Sequence, residues 1–141
     1  ILSQNRKMDI VFDWEKFLSF EGNSAPYLQY TYARARSVLR KAGGEGVGAL
    51  VSSITPAERS LVRQLLQFPF VLQESRDDRM PHKLCQYLYQ LCQAYNAFYN
   101  VDPILTALSS VRDVRVSLTA CTASVLRTGA ELLTLRVPDR M

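Results

Sequence analysis

Two tyrosines and an arginine fall on one side of a predicted helix near the start of the chain. Tyr27, Tyr30 and Arg34 are spaced i, i+3 and i+7, and a helix of about 3.6 residues per turn brings such positions onto one stripe. Aromatic rings stack on unpaired bases, and guanidinium groups neutralise backbone phosphates. The stripe therefore indicates a site for unpaired nucleic acid, although tyrosines at helical spacing are more often core residues and arginines are more often only solvated.

The positive charge of the chain is concentrated on the same helix. The chain carries 17 Lys and Arg against 13 Asp and Glu. Segment 27–42 holds Arg34, Arg36, Arg40 and Lys41 and no acid. A basic helix fits a polyanionic partner, but it also fits an acidic protein surface. A helical protein-interaction module with a basic face is therefore the alternative function.

Metal and thiol chemistry are weaker alternatives. His82, Cys85 and Cys92 fall on one side of a predicted long helix. At a rise of about 1.5 Å per residue, His82 and Cys92 are about 15 Å apart, whereas ligands of one zinc lie about 2.0–2.3 Å from it. A Cys/His nucleophile would also lack an orienting group and an oxyanion site. We expect no catalytic, metal-binding or cofactor-binding residue in this chain.

A glycine-rich segment separates the first part of the chain from the rest. Residues 43–48 hold four of the six glycines, and the letters of 44–49 match a dinucleotide-binding loop. That loop must follow a strand and open a helix, and no strand is predicted here. We expect a flexible linker over residues 43–54.

Hydrophobic periodicity predicts an all-α fold, an antiparallel bundle of five or more helices. The chain has 141 residues, of which 48% are hydrophobic and 21% charged, which is typical of one globular core. No apolar run approaches the length of a membrane span and the start is too polar for a secretory signal, so a cytoplasmic location is expected. The predicted helices cover residues 13–19, 24–42, 55–68, 69–76, 81–99 and 111–128, with breaks at Pro69 and Gly129.

Capping residues mark two of these helices. Ser24 is the predicted N-cap of the basic helix, with Pro26 in the first turn and Gly43 at its end. Thr55 and Glu58 form the pattern of a capping box at the start of a later helix. These signals set the expected bounds of the elements that carry the candidate site.

Three segments resemble class I arginyl-tRNA synthetases, in the order found in that family. Segment 22–42, GNSAPYLQYTYARARSVLRKA, resembles the piece that joins the catalytic core to the C-terminal helical domain. Segment 81–105, PHKLCQYLYQLCQAYNAFYNVDPIL, resembles the central helix of the anticodon-binding DALR domain. Segment 111–141, VRDVRVSLTACTASVLRTGAELLTLRVPDRM, resembles its last helix and tail. The resemblance reaches from about residue 12 to residue 141.

The resemblance implies a fragment that binds the anticodon arm of arginine tRNA. In the family, a loop corresponding to residues 20–24 reaches the anticodon loop, and aromatic and basic side chains contact bases and backbone. The residues that match are Asn23, Tyr27, Tyr30, Arg34, Tyr99 and Met141. Anticodon bases would stack on the three tyrosines while Arg34, Arg36 and Arg40 neutralise phosphates.

The resemblance also implies how the chain is divided and what it lacks. Residues 1–42 would be the end of the catalytic domain and connecting helices, and residues 55–141 the DALR-type bundle. No sequence like the family's HIGH and KMSKS motifs occurs, so we expect no aminoacylation by this chain alone. ATP and arginine would be bound by the full-length enzyme, and the missing catalytic domain would be a partner. Trp14 and Phe17 are expected to pack on the bundle or to form an apolar patch that drives self-association.

Two positions depart from the family pattern or carry no contact role. Pro103 stands where some members have an aromatic residue near the end of the central helix, which removes one stacking surface. Arg115 lies in the segment that corresponds to the motif after which the domain is named. We interpret Arg115 as structural, bonding neighbouring carbonyl groups.

Overall fold

The described part of the chain is entirely helical. A computed structural model describes residues 2–9, 22–44 and 53–141, which contain four helices and no strand. The predicted all-α class is confirmed, but the predicted count of five or more helices is not met within these ranges. The predicted helix 13–19, with Trp14 and Phe17, and residues 45–52 of the predicted linker lie outside them. The helices are α1 Ala25–Ala42, α2 Pro56–Asp77, α3 Pro81–Val101 and α4 Ser109–Leu132.

Local capping chemistry sets the ends of α1 and the start of α2 as predicted. The Ser24 hydroxyl accepts a hydrogen bond from the backbone N–H of Tyr27, and Gly43 ends α1 with a φ of 86°, a conformation that glycine adopts readily. The Thr55 hydroxyl accepts from the N–H of Glu58, while the Glu58 carboxylate accepts from the N–H of Thr55. Both helices therefore begin where their own side chains satisfy the first backbone donors.

The predicted breaks at Pro69 and Gly129 are wrong, which explains the lower helix count. Helix α2 continues through Pro69, an exposed residue, because packing of α2 along α3 compensates for one missing backbone hydrogen bond. Helix α4 continues through Gly129, where an added Cβ would lie 2.6 Å from Cδ2 of the buried Leu88. Gly129 therefore permits close approach of α4 to α3 rather than ending the helix.

Helix α3 forms the centre of the core. Leu84, Leu88, Leu91, Tyr95 and Phe98 are all buried, as their spacing predicted. Helix α2 packs along α3 after a connection of only three residues, so the two run antiparallel. Helix α1 packs mainly on α4 and also contacts α3. No helix within the described ranges is long and apolar enough to cross a lipid bilayer.

A buried charge cluster joins three of the four helices. Arg115 of α4 donates from Nε to Glu58 Oε1 at 2.7 Å and from Nη2 to Asp102 Oδ1 at 3.1 Å. Its Nη1 donates to the carbonyl of Pro103 at 2.7 Å, and the Thr55 hydroxyl donates to Asp102 Oδ2 at 2.7 Å. The interpretation of Arg115 as structural is confirmed for the carbonyl, whereas the two carboxylates were not anticipated. We call these four side chains (Thr55, Glu58, Asp102 and Arg115) the buried charge cluster.

Replacing Arg115 by Met should lower the free energy of unfolding by about 3–5 kcal/mol, because two nearly buried carboxylates lose their positive partner. Urea denaturation followed by circular dichroism measures the change. The control is Arg127→Met, which removes an exposed i,i+4 pair with Glu131 and should cost about 0.5 kcal/mol or less. Similar losses for both variants would contradict the structural role of the cluster.

Candidate nucleic-acid interface

An open cleft of about 660 Å³ lies between α1 and the segment that follows α3. Its walls include Tyr30 and Arg34 from α1, Tyr99 from the last turn of α3, and Met141 from the chain end. Four of the six residues proposed by resemblance therefore share one solvent-facing cleft.

Arg34 lies against two tyrosine rings that come from different helices. Its guanidinium carbon is 4.7 Å from the centroid of the Tyr30 ring and 4.9 Å from that of Tyr99, within range of a cation–π interaction. Tyr30 is 50% exposed and Tyr99 is 40% exposed. The guanidinium thus holds both rings in place while each ring still presents surface to solvent.

Asn96 fixes the orientation of Arg34. Arg34 donates from Nη1 to Asn96 Oδ1 at 2.7 Å and from Nη2 to the Tyr30 hydroxyl at 2.8 Å. The Asn96 amide in turn donates to the Tyr27 hydroxyl at 3.0 Å and to the Thr31 hydroxyl at 3.2 Å. Asn96 is not among the site residues that the sequence predicted. Its position three residues before Tyr99, on the same side of α3, is the signal that would have found it.

Tyr27 and Asn23 do not line the cleft. Tyr27 is half-buried, with its ring centroid 5.5 Å from that of Tyr89 and its hydroxyl bound to Asn96. Asn23 is half-buried and directly precedes the N-cap residue Ser24. The loop predicted to reach a ligand covers residues 20–24, of which 20 and 21 lie outside the described residues.

Positive charge dominates the cleft. Arg34, Arg40, Lys41 and Arg140 all contribute to its lining. Asp102 also lines it, but this side chain is buried and both of its carboxylate oxygens are engaged in the buried charge cluster. The cleft therefore favours a ligand that combines negative charge with flat apolar surface.

The chain end is held on α1 through Asp139. Asp139 Oδ1 accepts from the Tyr32 hydroxyl and from Arg36 Nε, both at 3.1 Å, and its backbone carbonyl accepts from Arg40 Nη1 at 2.8 Å. The hydrogen bond from Tyr32 lowers the pKa of Asp139 from its ordinary value. Burial, and then the bond to Asp139, raises the pKa of Tyr32. Arg36 and Arg40, which were predicted to neutralise phosphate, are thus hydrogen-bonded to Asp139.

The two buried thiols lack the properties of a nucleophile. Cys85 and Cys92 are buried and Cys121 is exposed. Burial raises the pKa of Cys92 to about 12 and also raises the pKa of Cys85, whereas catalytic cysteines have a lowered pKa. In the part of the chain that the structure describes, no group of three His, Cys, Asp or Glu side chains is placed to hold a metal.

The fold and the cleft together define a helical domain with a basic, aromatic surface site. The model of the DALR anticodon binding domain matches residues 28–141, so the chain belongs to that family. The resemblance noted in the sequence is thereby confirmed.

The two relatives described next are both arginine–tRNA ligases. The arginine–tRNA ligase of Actinobacillus succinogenes is 44% identical over 142 residues, covering 99% of this chain and 25% of that protein. That of Chromobacterium violaceum is 44% identical over 140 residues, covering 99% and 24%. The chain spans about a quarter of the length of these relatives.

Two solved structures share the fold. Thermus thermophilus arginyl-tRNA synthetase superposes with a TM-score of 0.85 at 42% identity, over 92% of this chain and 23% of that one. Arginyl-tRNA synthetase from Plasmodium falciparum superposes with a TM-score of 0.80 at 26% identity, over 99% and 25%.

Iodoacetamide at about pH 8 should modify Cys121 alone in the native chain, because the other two thiols are buried and burial raises the pKa of each. Intact mass spectrometry should show a single adduct, and three adducts after unfolding in urea. Rapid modification of Cys85 in the native chain would contradict this expectation and favour the alternative that the chain is a thiol enzyme.

Proposed function

We propose that this chain is the tRNA anticodon-binding part of an arginine–tRNA ligase. The observation that carries the proposal is the guanidinium of Arg34 between the half-exposed rings of Tyr30 and Tyr99 in a basic cleft. Membership of the DALR family and the names of the similar proteins support it. The ligand would be the anticodon arm of arginine tRNA.

In this mechanism, unstacked anticodon bases lie against the exposed surfaces of Tyr30 and Tyr99. Each stacked base contributes on the order of 1–3 kcal/mol. Tyr27 acts indirectly by holding Asn96, which orients Arg34. Asn23 and the loop around it contact the anticodon loop from the other end of α1, and Met141 contacts a base from the chain end.

Phosphate neutralisation falls mainly to Arg34, Lys41 and Arg140. All three line the cleft, and Arg34 donates to an amide oxygen and a hydroxyl group rather than to a carboxylate. Arg36 donates to the carboxylate of Asp139, and Arg40 donates to the carbonyl of the same residue. Their contribution to a bound phosphate is therefore smaller than the sequence pattern implied.

The remaining parts of the proposal concern the longer protein. ATP and arginine are bound by a catalytic domain outside this chain, which is itself a partner of the chain. Residues 1–42 connect to that domain, 43–54 serve as a linker and 55–141 form three helices of the bundle, against which α1 packs. The location is cytoplasmic, and Trp14 and Phe17 either pack on the bundle or form an apolar patch that drives self-association.

The test of the proposal is a titration of the chain with anticodon stem-loops. An arginine stem-loop should bind more tightly than the same stem carrying the anticodon of another amino acid, because base-edge contacts read single-stranded bases. Equal affinities for both stem-loops would contradict the proposal and favour the alternative of a protein-interaction module with a basic face.

Replacing Tyr30 by Ala should weaken binding of the arginine stem-loop by about 1–3 kcal/mol, the range expected for loss of one stacked base. Fluorescence anisotropy at fixed salt measures the change. Phe70→Ala is the matched control, since it removes an exposed aromatic ring of α2 outside the cleft. An unchanged affinity for the Tyr30 variant would remove this ring from the site.

Two substitutions of Arg34 separate its charge from its planar shape. Arg34→Gln should reduce the slope of log affinity against log salt by about 0.7, the value expected for one phosphate contact with a single strand. Arg34→Lys should keep the slope but still weaken binding, because an ammonium group cannot replace the planar guanidinium between two rings.

The control for charge is Arg63→Gln, which removes an exposed cation of α2 outside the cleft. Its salt slope should match that of the unmodified chain. If Arg34→Gln also leaves the slope unaltered, Arg34 makes no phosphate contact.

A further inference from the structure

The last residues of the chain are bound along one stripe of α1. Gln29 donates from Nε2 to the carbonyl of Arg136 at 2.7 Å. Tyr32, Arg36 and Arg40 all donate to Asp139. These four positions of α1 are spaced i, i+3, i+7 and i+11, so they form one continuous stripe of a helix.

Asp139 accepts three of these four hydrogen bonds. Both its carboxylate and its backbone carbonyl accept hydrogen bonds from α1, from three different side chains. Arg127 of α4 is a further charged neighbour of the carboxylate. The chain end between residues 136 and 139 is therefore attached at two points, and Asp139 is the second of them.

Attachment at Asp139 restricts where Met141 lies. Two residues span at most about 7 Å of chain, so Met141 stays near the end of α1. It lines the cleft together with Tyr30 and Tyr99, although its side chain is 67% exposed. An exposed, unbranched side chain of this kind has no packing of its own that would hold it there.

We propose that Asp139 is a positioning residue that holds Met141 at the cleft, and that it increases affinity for the nucleic-acid ligand in spite of its negative charge. The second half rests on the proposed function. Arg36 and Arg40 donate hydrogen bonds to Asp139. These bonds fix the chain end and give the Met141 side chain a defined position.

The negative charge of Asp139 allows an experiment to distinguish a positioning role from a purely electrostatic effect on affinity. Removing a negative charge next to a basic cleft should tighten binding of a polyanion if only charge matters. Removing a positioning contact should weaken binding instead. Asp139→Asn keeps the size of the side chain, loses the charge and weakens the charge-assisted bonds from Tyr32 and Arg36, so the two accounts predict opposite signs.

The first experiment observes the chain end without any ligand. Methionine methyl groups labelled with ¹³C give three signals, because the chain has three methionines, and Met141→Leu identifies one of them. In the unmodified chain the Met141 methyl should show a shift displaced by the tyrosine rings. Asp139→Asn should move it toward the random-coil position, because the bonds from Tyr32 and Arg36 weaken while the bond from Arg40 to the backbone carbonyl remains. A random-coil shift in the unmodified chain, or no movement in the variant, would overturn the positioning role.

The second experiment measures affinity for the arginine anticodon stem-loop. Asp139→Asn should weaken binding about threefold, in line with the strength of a partly exposed ion pair. In a Met141→Ala background the same change should weaken binding no further. Glu131→Gln, which removes an exposed acid of α4, is the control and should not weaken binding.

The outcomes separate this inference from the proposed function. Tighter binding of Asp139→Asn, or equal weakening with and without Met141, overturns the inference while leaving anticodon binding intact. Lack of discrimination between stem-loops by the unmodified chain overturns the proposed function, and the methyl signal then still decides whether Asp139 positions Met141. Circular dichroism of each variant confirms that the helices are retained.

Discussion

The buried charge cluster is the interaction on which the cleft depends. Arg115 binds a carboxylate at the start of α2 and another just after α3, and a buried charge is tolerated only when such partners are present. Asp102 lies three residues after Tyr99 and also lines the cleft. The cluster therefore fixes the end of α3, and with it the ring that faces Arg34.

Helix α1 uses two different sides for two different tasks. Tyr30 and Arg34 face the cleft, whereas Tyr32 and Arg36 hold the chain end. Positions two residues apart on a helix differ by about 200° in direction. Arg34 and Arg36 therefore have different roles. A count of cations along the sequence overstates how many of them are available to a ligand.

Much of the fold followed from local rules, and the errors share one cause. The caps at Ser24 and Thr55 and the buried stripe of α3 were predicted correctly because each depends on residues within one or two turns. The breaks at Pro69 and Gly129 were wrong because packing between helices outweighed the local cost, which is about 3 kcal/mol for proline and about 1 kcal/mol for glycine in a helix interior. For Gly129, the decisive neighbour is Leu88, far away in the sequence.

The sequence by itself determined that the chain is helical, where the described helices begin to within about two residues, and which family it belongs to. It also placed Tyr30 and Arg34 on one stripe. The family resemblance also named Tyr99. Only the tertiary structure decided that the Tyr99 ring lies against Arg34, that Tyr27 contacts Asn96 instead of lining the cleft, and that the chain end returns to α1. The physical reason is that periodicity reports which side of a helix a residue occupies, whereas the partner on that side is chosen by packing between segments distant in the chain.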